Sequence, residues 1–226
     1  MIYLKKSLLI CFLFVLSWNI NAQIPHDVEA WVGSNLKFKL NKKVSLNISP
    51  EIRFDNDIST RKSVFTDLEL KLKLSKYWAL KWGFRFAQRP NNGIKLRGNF
   101  DILFSVKKKK KKLSFRNRLR SQFGYAIQTG KNEVFIRDQV LFKYNLSKLV
   151  DPYAGGEIFF KTKSLEFRQF RLLAGLDWKL TNWWDVSTFY IYEREIFNSN
   201  PSASNIIGFS STFKLKKKKQ KSHSSL

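Results

Sequence analysis

Charged side chains recur at every second position in several parts of the sequence, and this spacing is the first indication of chemistry. The clearest case is Arg116, Arg118 and Arg120, which alternate with Asn117 and Leu119. Residues two apart in a strand point to the same side, so we expect three guanidinium groups on one face, about 6.8 Å apart. Rows of arginine or lysine on the wall of a passage favour anions.

Acidic and basic residues in other alternating segments extend this polar face, with bases in excess. Fifteen of them form the candidate site: Glu51, Arg53, Asp67, Glu69, Lys71, Arg85, Arg97, Asp101, Arg116, Arg118, Arg120, Arg137, Glu157, Arg171 and Asp177. The favoured interpretation is a network of salt bridges that fills a narrow lumen, because side chains fill the interior of small barrels. The functional alternative is an anion-favouring pore.

The sequence offers little support for catalysis or metal binding. His26 and His223 are its only histidines, and both lie near the termini. A nucleophilic serine inside the chain therefore has no histidine base, and a zinc site lacks its usual ligands. Asp55 and Asp57 are possible calcium ligands, but a solvated loop is the better interpretation. We expect no enzyme activity, no metal and no cofactor.

A period of two runs through most of the chain and predicts an all-β fold. Between Val64 and Leu74, apolar residues and one threonine alternate with Phe65 and charged residues. A helix would scatter these leucines, whereas a strand gathers them on one side. We identify eleven such segments, and Pro50 predicts a bulge in the second of them. The segments are 28–40, 44–54, 64–74, 80–86, 95–106, 113–124, 133–146, 152–160, 167–180, 185–194 and 205–215.

The connections between the segments alternate in character. Short or lysine-rich connections, including the run Lys107–Lys112, take turns with longer polar ones, namely 55–63, 87–94, 125–132, 161–166 and 195–204. Short turns at one rim and long loops at the other are typical of an antiparallel transmembrane β-barrel. Because bacterial single-chain barrels have an even number of strands, we expect twelve strands, with ten as the alternative. The lysine run is then a turn between two strands.

Alternation by itself does not show whether the apolar face points inward or outward. The segments are roughly ten residues long, which is enough to cross a bilayer when tilted. Aromatic residues gather beside the short connections, as in the interfacial girdle of a membrane barrel: Tyr77, Trp78, Tyr144, Trp178, Trp183 and Trp184. We therefore expect an apolar exterior in lipid. The alternative is a soluble sandwich or lipocalin-like barrel.

The first 22 residues are typical of a secretory signal peptide. Lys5 and Lys6 precede an apolar stretch, and Ala22 provides a small residue at the cleavage point. The apolar stretch is short for a transmembrane anchor. We therefore divide the chain into a signal peptide (1–22), an outer-membrane barrel (23–215) and a basic tail (216–226).

The charge balance indicates an anionic partner. The net charge is +25, from 42 basic and 17 acidic residues. Export argues against nucleic acid, so the expected partners are outer-membrane lipids and small anionic solutes. The only cysteine, Cys11, lies in the signal peptide, so the mature chain forms no internal disulfide.

From Trp31 to Leu215 the chain resembles an uncharacterised family of outer-membrane β-barrels of Gram-negative bacteria, described as a domain of unknown function. The resemblance rests on the first strand from Trp31 and on four short stretches: 36–43, 51–54, 152–157 and 168–171, the last followed by Gly175. It implies an outer-membrane barrel but no activity and no defined site. Two function classes follow: a narrow anion-favouring pore or solute-binding barrel, and a non-conducting structural or assembly barrel.

The N-terminal pattern predicts cleavage after Ala22. N-terminal sequencing of the protein from the cell envelope should begin at Gln23. An Ala22→Arg variant, which removes the small residue, should keep the leader. Envelope protein that still begins at Met1 in the unaltered chain would contradict the prediction.

Overall fold

In a computed structural model the chain folds as a β-barrel. The structure describes residues 25–90, 93–107, 112–197 and 200–216. These residues form eleven strands: β1 (His26–Lys39), β2 (Val44–Asp55), β3 (Thr60–Lys73), β4 (Trp78–Arg89), β5 (Gly93–Lys107), β6 (Leu113–Ala126), β7 (Asn132–Tyr144), β8 (Val150–Lys161), β9 (Glu166–Lys179), β10 (Trp184–Glu195) and β11 (Ala203–Lys216). The predicted signal peptide, the middle of the lysine run (108–111) and the tail from 217 onward lie outside the described residues.

Each strand pairs antiparallel with the next, and β1 closes the barrel by pairing parallel with β11. This seam runs from His26 opposite Ala203 to Lys39 opposite Lys216. The all-β barrel is confirmed, whereas the expectation of twelve strands is wrong for the described chain, which has eleven. A barrel with an odd number of strands also closes without an unpaired strand edge, because a parallel ladder pairs backbone donors and acceptors on both strands.

The two rims differ in charge more than in loop length. The lysine rim, as we name it, carries the connections 40–43, 74–77, 145–149 and 180–183 and the link from β5 to β6. The far rim carries 56–59, 127–131 and 162–165 and the links from β4 to β5 and from β10 to β11. The expectation of longer loops at the far rim is wrong for the three fully described connections, because strand pairing continues to Asp55 opposite Thr60 and to Lys161 opposite Glu166.

The lysine run lies where a hairpin turn was predicted. Strand β5 ends at Lys107, β6 begins at Leu113, and the two strands pair antiparallel with Lys107 opposite Ser114. The run therefore connects two neighbouring strands at the lysine rim.

Polarity across the wall is the reverse of that in a soluble barrel. Leu68, Phe84 and Leu172 point outward with 47%, 49% and 55% of their surface exposed, whereas the interior carboxylates Asp101 and Glu157 are 0% and 3% exposed. Soluble proteins bury leucine and phenylalanine and expose unpaired carboxylates. The alternation read from the sequence thus places its apolar face outside and its charged face inside.

The expected bulge at Pro50 is absent. Pro50 keeps its register opposite Thr66, and the irregularity lies further along β2, between Arg53 and Phe54. On the other side, pairing with β1 resumes in the same register, with Gly33 opposite Glu51 and Leu36 opposite Ile48. Proline removes a backbone donor without adding a residue, so the ladder is interrupted there but not shifted.

An apolar cluster occupies the inner wall beside the seam. Trp31, Ile191 and Ile206 are buried there, with Leu173 and Phe189 packed against them. This contact needs a glycine at position 208, because a Cβ on Gly208 would lie 1.9 Å from the Phe189 ring. The lumen is therefore narrowed by apolar side chains on one side and lined by charges on the other.

Filling the space at Gly208 should destabilise the barrel. A Gly208→Val variant displaces Phe189 and should lower the free energy of unfolding by about 1–3 kcal/mol. Gly98→Val is the matched control, because no atom lies within 4 Å of a Cβ at that position. Denaturant unfolding in detergent micelles, followed by tryptophan fluorescence, compares the two. Equal losses in both variants would show that the Phe189 contact is not the cause.

Candidate functional site

The interior charges form three clusters, and the most deeply buried one centres on Asp101. Lys81, Asp101 and Arg120 lie directly opposite one another on β4, β5 and β6. The Arg120 guanidinium donates through Nε to Oδ1 at 2.7 Å and through Nη2 to Oδ2 at 2.8 Å. The Lys81 ammonium lies 3.1 Å from Oδ2. This forked, charge-assisted pairing satisfies both oxygens of the buried carboxylate.

The second cluster gathers three arginines around Glu157 on β8. Arg118 donates to Oε1 at 2.7 Å, and Arg137 donates to the same oxygen through Nε at 3.1 Å and Nη2 at 2.9 Å. The Nη1 atom of Arg171 lies 3.8 Å from Oε2, and Arg171 also pairs with Glu193. Three cations share one fully buried carboxylate, so this cluster stays positive.

The third cluster lies toward the far rim and combines ion pairs with aromatic rings. Arg85 holds Asp67 through Nε at 2.6 Å and Nη2 at 2.5 Å. Its guanidinium carbon lies 3.4 Å from the centroid of Phe65, and that of Arg53 lies 3.4 Å from Trp31. Cation–π contacts of this kind fix the two guanidinium planes against the wall.

All fifteen predicted residues lie on the interior side of the wall, and the structure pairs thirteen of them. Besides the clusters above, Glu51 pairs with Arg53, Glu69 with Lys81 and Asp177 with Lys143, and Arg97 lies 3.9 Å from Asp67. Lys71 and Arg116 are the two members that make no ion pair with a described residue. The row of three arginines is therefore unequal: Arg118 and Arg120 are held by carboxylates, and Arg116 is open.

Several interior charges were missed by the sequence reasoning, among them Lys37, Lys143 and Lys214. Lys37 follows Gly33 and Asn35 on the inward face of β1, so the same alternation would have found it. Lys143 and Lys214 hold Asp177 and Asp185. Lys214 and Asp185 lie on the neighbouring strands β11 and β10, and Lys143 reaches Asp177 across β8, so the pairing register of adjacent hairpins brings each pair together.

One carboxylate lies on the outer face instead. Asp138 is in the middle of β7, and the side-chain amide of Asn117 donates to its Oδ1 at 2.6 Å. The alternation places Asn117 and Asp138 on the outward face, where Asp138 lies between the outward residues Ile136 and Val140. The hydrogen bond gives this carboxylate a partner on an otherwise apolar wall.

Described residues line three cavities in the lumen: two vestibules, and a side cavity of ≈ 500 Å³ beside Lys143 and Asp177. The far-rim vestibule has a volume of ≈ 440 Å³ and the lysine-rim vestibule one of ≈ 280 Å³. Glu69, Arg118 and Gln139 line both vestibules. Arg118 and Gln139 also line the side cavity, so these two side chains lie where all three cavities meet.

Neither a metal-ligand cluster nor a membrane-spanning helix occurs in the described part of the chain. It contains no group of three or more histidine, cysteine, aspartate or glutamate side chains placed to hold a metal ion. It also contains no helix with the length and hydropathy of a membrane span.

A family model described as "Protein of unknown function (DUF2490)" matches residues 28–204, which run from β1 to the start of β11. The chain belongs to the DUF2490 family. This confirms the resemblance to a barrel family of unknown function. None of the curated proteins compared with the chain matches it.

This DUF2490 barrel is similar in fold to a solved porin. The structure titled "NanC porin structure in rhombohedral crystal form" superposes with a TM-score of 0.56 at 15% sequence identity, and the match covers 84% of this chain and 99% of the other. At this identity the likeness is one of fold. The DUF2490 barrel is thus porin-like in architecture.

The Asp101 cluster should contribute to the stability of the DUF2490 barrel. Arg120→Met leaves the buried carboxylate with Lys81 as its one ion-pair partner and with a long hydrogen bond from Asn99, and should lower the free energy of unfolding by at least about 2 kcal/mol. The double variant Asp101→Asn with Arg120→Met removes the stranded charge and should regain at least half of that loss. Arg116→Met is the control, with a change below about 0.5 kcal/mol because Arg116 has no partner to strand. Denaturant unfolding in micelles measures all three, and a loss at Arg116 equal to that at Arg120 would contradict the assignment.

Proposed function

We propose that this protein is an outer-membrane barrel, freed of residues 1–22, whose lumen provides a narrow passage that favours small anions. The apolar exterior supports the membrane location, because exposed leucines and phenylalanines around a whole barrel need a non-aqueous surrounding. Tyr77, Trp78, Tyr144 and Trp183 are exposed beside the lysine rim, where an interfacial girdle would lie. The porin-like fold agrees with this location.

The observation that carries the anion preference is the charge imbalance of the lumen. Among the described residues, ten basic and five acidic side chains line the far-rim vestibule, and seven basic and one acidic side chain line the lysine-rim vestibule. The excess of basic side chains creates a positive potential, and the low-dielectric walls focus this potential along the passage. An anion can exchange part of its hydration for lysine and arginine donors, whereas a cation meets repulsion.

A second candidate function is a structural or assembly barrel that conducts nothing. The junction of the two vestibules supports it, because Arg118 is held there by Glu157 and Glu69 by Lys81. These ion pairs fix two side chains where the two vestibules meet. A passage that stays closed would leave a rigid, well-filled barrel with an apolar surface.

Planar-bilayer recording separates the two candidates. The refolded protein in a potassium chloride gradient should conduct, and its reversal potential should shift toward the chloride equilibrium potential. The shift should shrink at about 1 M salt, where the screening length falls to roughly 3 Å. Protein denatured before reconstitution is the control. A cation preference would overturn the anion proposal, and the absence of conductance would favour the structural barrel.

A further inference from the structure

Among the described residues, the lysine-rim half of the lumen has more cations than carboxylates. Each interior carboxylate there already has a lysine among the described residues: Lys179 lies 2.6 Å from Asp151, Lys214 lies 2.5 Å from Asp185, and Lys143 holds Asp177. Near the junction of the two vestibules, Lys81 holds Glu69 at 2.6 Å and reaches Asp101 at 3.1 Å. None of these carboxylates forms an ion pair with Lys37, Lys71 or Arg116, although Oδ1 of Asp151 and Oδ1 of Asp185 have no hydrogen-bond partner.

Lys37, Lys71 and Arg116 are left without an ion pair to any described residue, and all three side chains are open to the vestibule. They come from β1, β3 and β6, so they approach the cavity from different parts of the wall. Lys37 lies directly opposite Lys214 across the seam. Lys71 is repelled by both Lys37 and Arg116, whereas Asp185 attracts Lys37 and Asp177 attracts Arg116 without forming an ion pair. The fold therefore holds three like charges around one cavity of ≈ 280 Å³.

We infer that the lysine-rim vestibule binds a compact oxyanion, such as a phosphate, sulfate or carboxylate group, between Lys37, Lys71 and Arg116. Two ammonium groups supply point charges, and the planar guanidinium supplies a fork that matches two oxygens of one anion. Ser45, Asn47 and Ser105 add neutral donors on the same wall. The bound anion would relieve the repulsion among the three cations, as a carboxylate does in the Glu157 cluster.

This oxyanion site would give the proposed passage a binding step. It rests on the proposed function, because an anion would reach the site through that passage. The binding itself does not need conduction. The far-rim vestibule is less suited, because its cations alternate with Asp67, Glu133 and Glu193, which already hold Arg85, Lys95 and Arg171.

Titration calorimetry with inorganic phosphate tests the site on the folded full-length chain in detergent at low ionic strength. Replacing Lys37, Lys71 and Arg116 together by glutamine should weaken phosphate binding at least about tenfold, because three charge-assisted contacts are lost. The matched control replaces Lys42, Lys43 and Lys148, which are exposed on turns of the same rim, and should change binding by less than about twofold. If the triple variant does not fold, Lys71→Gln alone should weaken binding at least about threefold.

Equal weakening in the two triple variants would overturn the site, because it would show a general effect of net charge. Failure of the unaltered protein to bind phosphate would overturn it as well. Phosphate binding by a barrel that does not conduct would support the site and overturn the passage. Conductance with an anion preference that survives loss of phosphate binding in the Lys37, Lys71 and Arg116 variant would support both the site and the passage.

Discussion

Closure of the backbone ladder through the β1–β11 seam is the constraint on which the other features depend. An open sheet would leave two strand edges with unpaired amide and carbonyl groups, and a closed one leaves none. Once the ring is closed, alternation along each strand sends every second side chain into a common interior. Polar residues on separate strands are then forced to meet, and the apolar residues between them form a continuous outer surface.

The interior charges follow from that closure. A carboxylate such as Asp101 or Glu157 is expensive to bury by itself, and it becomes acceptable only with several donors around it. Neighbouring strands in fixed register supply those donors, since Arg120 lies directly opposite Asp101 and Arg171 lies directly opposite Glu157. The ion pairs in the middle of the lumen and the cations without an ion pair nearer the lysine rim thus arise from the same alternation of charged residues on the inward face of the strands.

The sequence was informative where a local period decides the structure. The alternation around Leu68 and Glu69 places one residue outside and the other inside without reference to any other strand. It says nothing about which strand closes on which, and the parity rule then led to twelve strands. Arg120 has an ion-pair partner and Arg116 has none, and this difference depends on strand register. The partner of Arg120 lies on β5, and the pairing of β5 with β6 places it directly opposite. Loop lengths at the far rim were overestimated because polar residues such as Thr60 and Glu166 continue the ladder.

An odd number of strands has a consequence for how the chain is laid out across a membrane. His26 opens β1 at the far rim and Lys216 ends β11 at the lysine rim. In the proposed outer-membrane location, the two ends of this barrel would lie in different compartments, one facing the surroundings of the cell and the other the periplasm. Insertion by successive hairpins returns the chain to its starting side after every second strand, so one strand must cross singly. The parallel pairing of β1 with β11 is then the step that gives this unmatched strand its second neighbour.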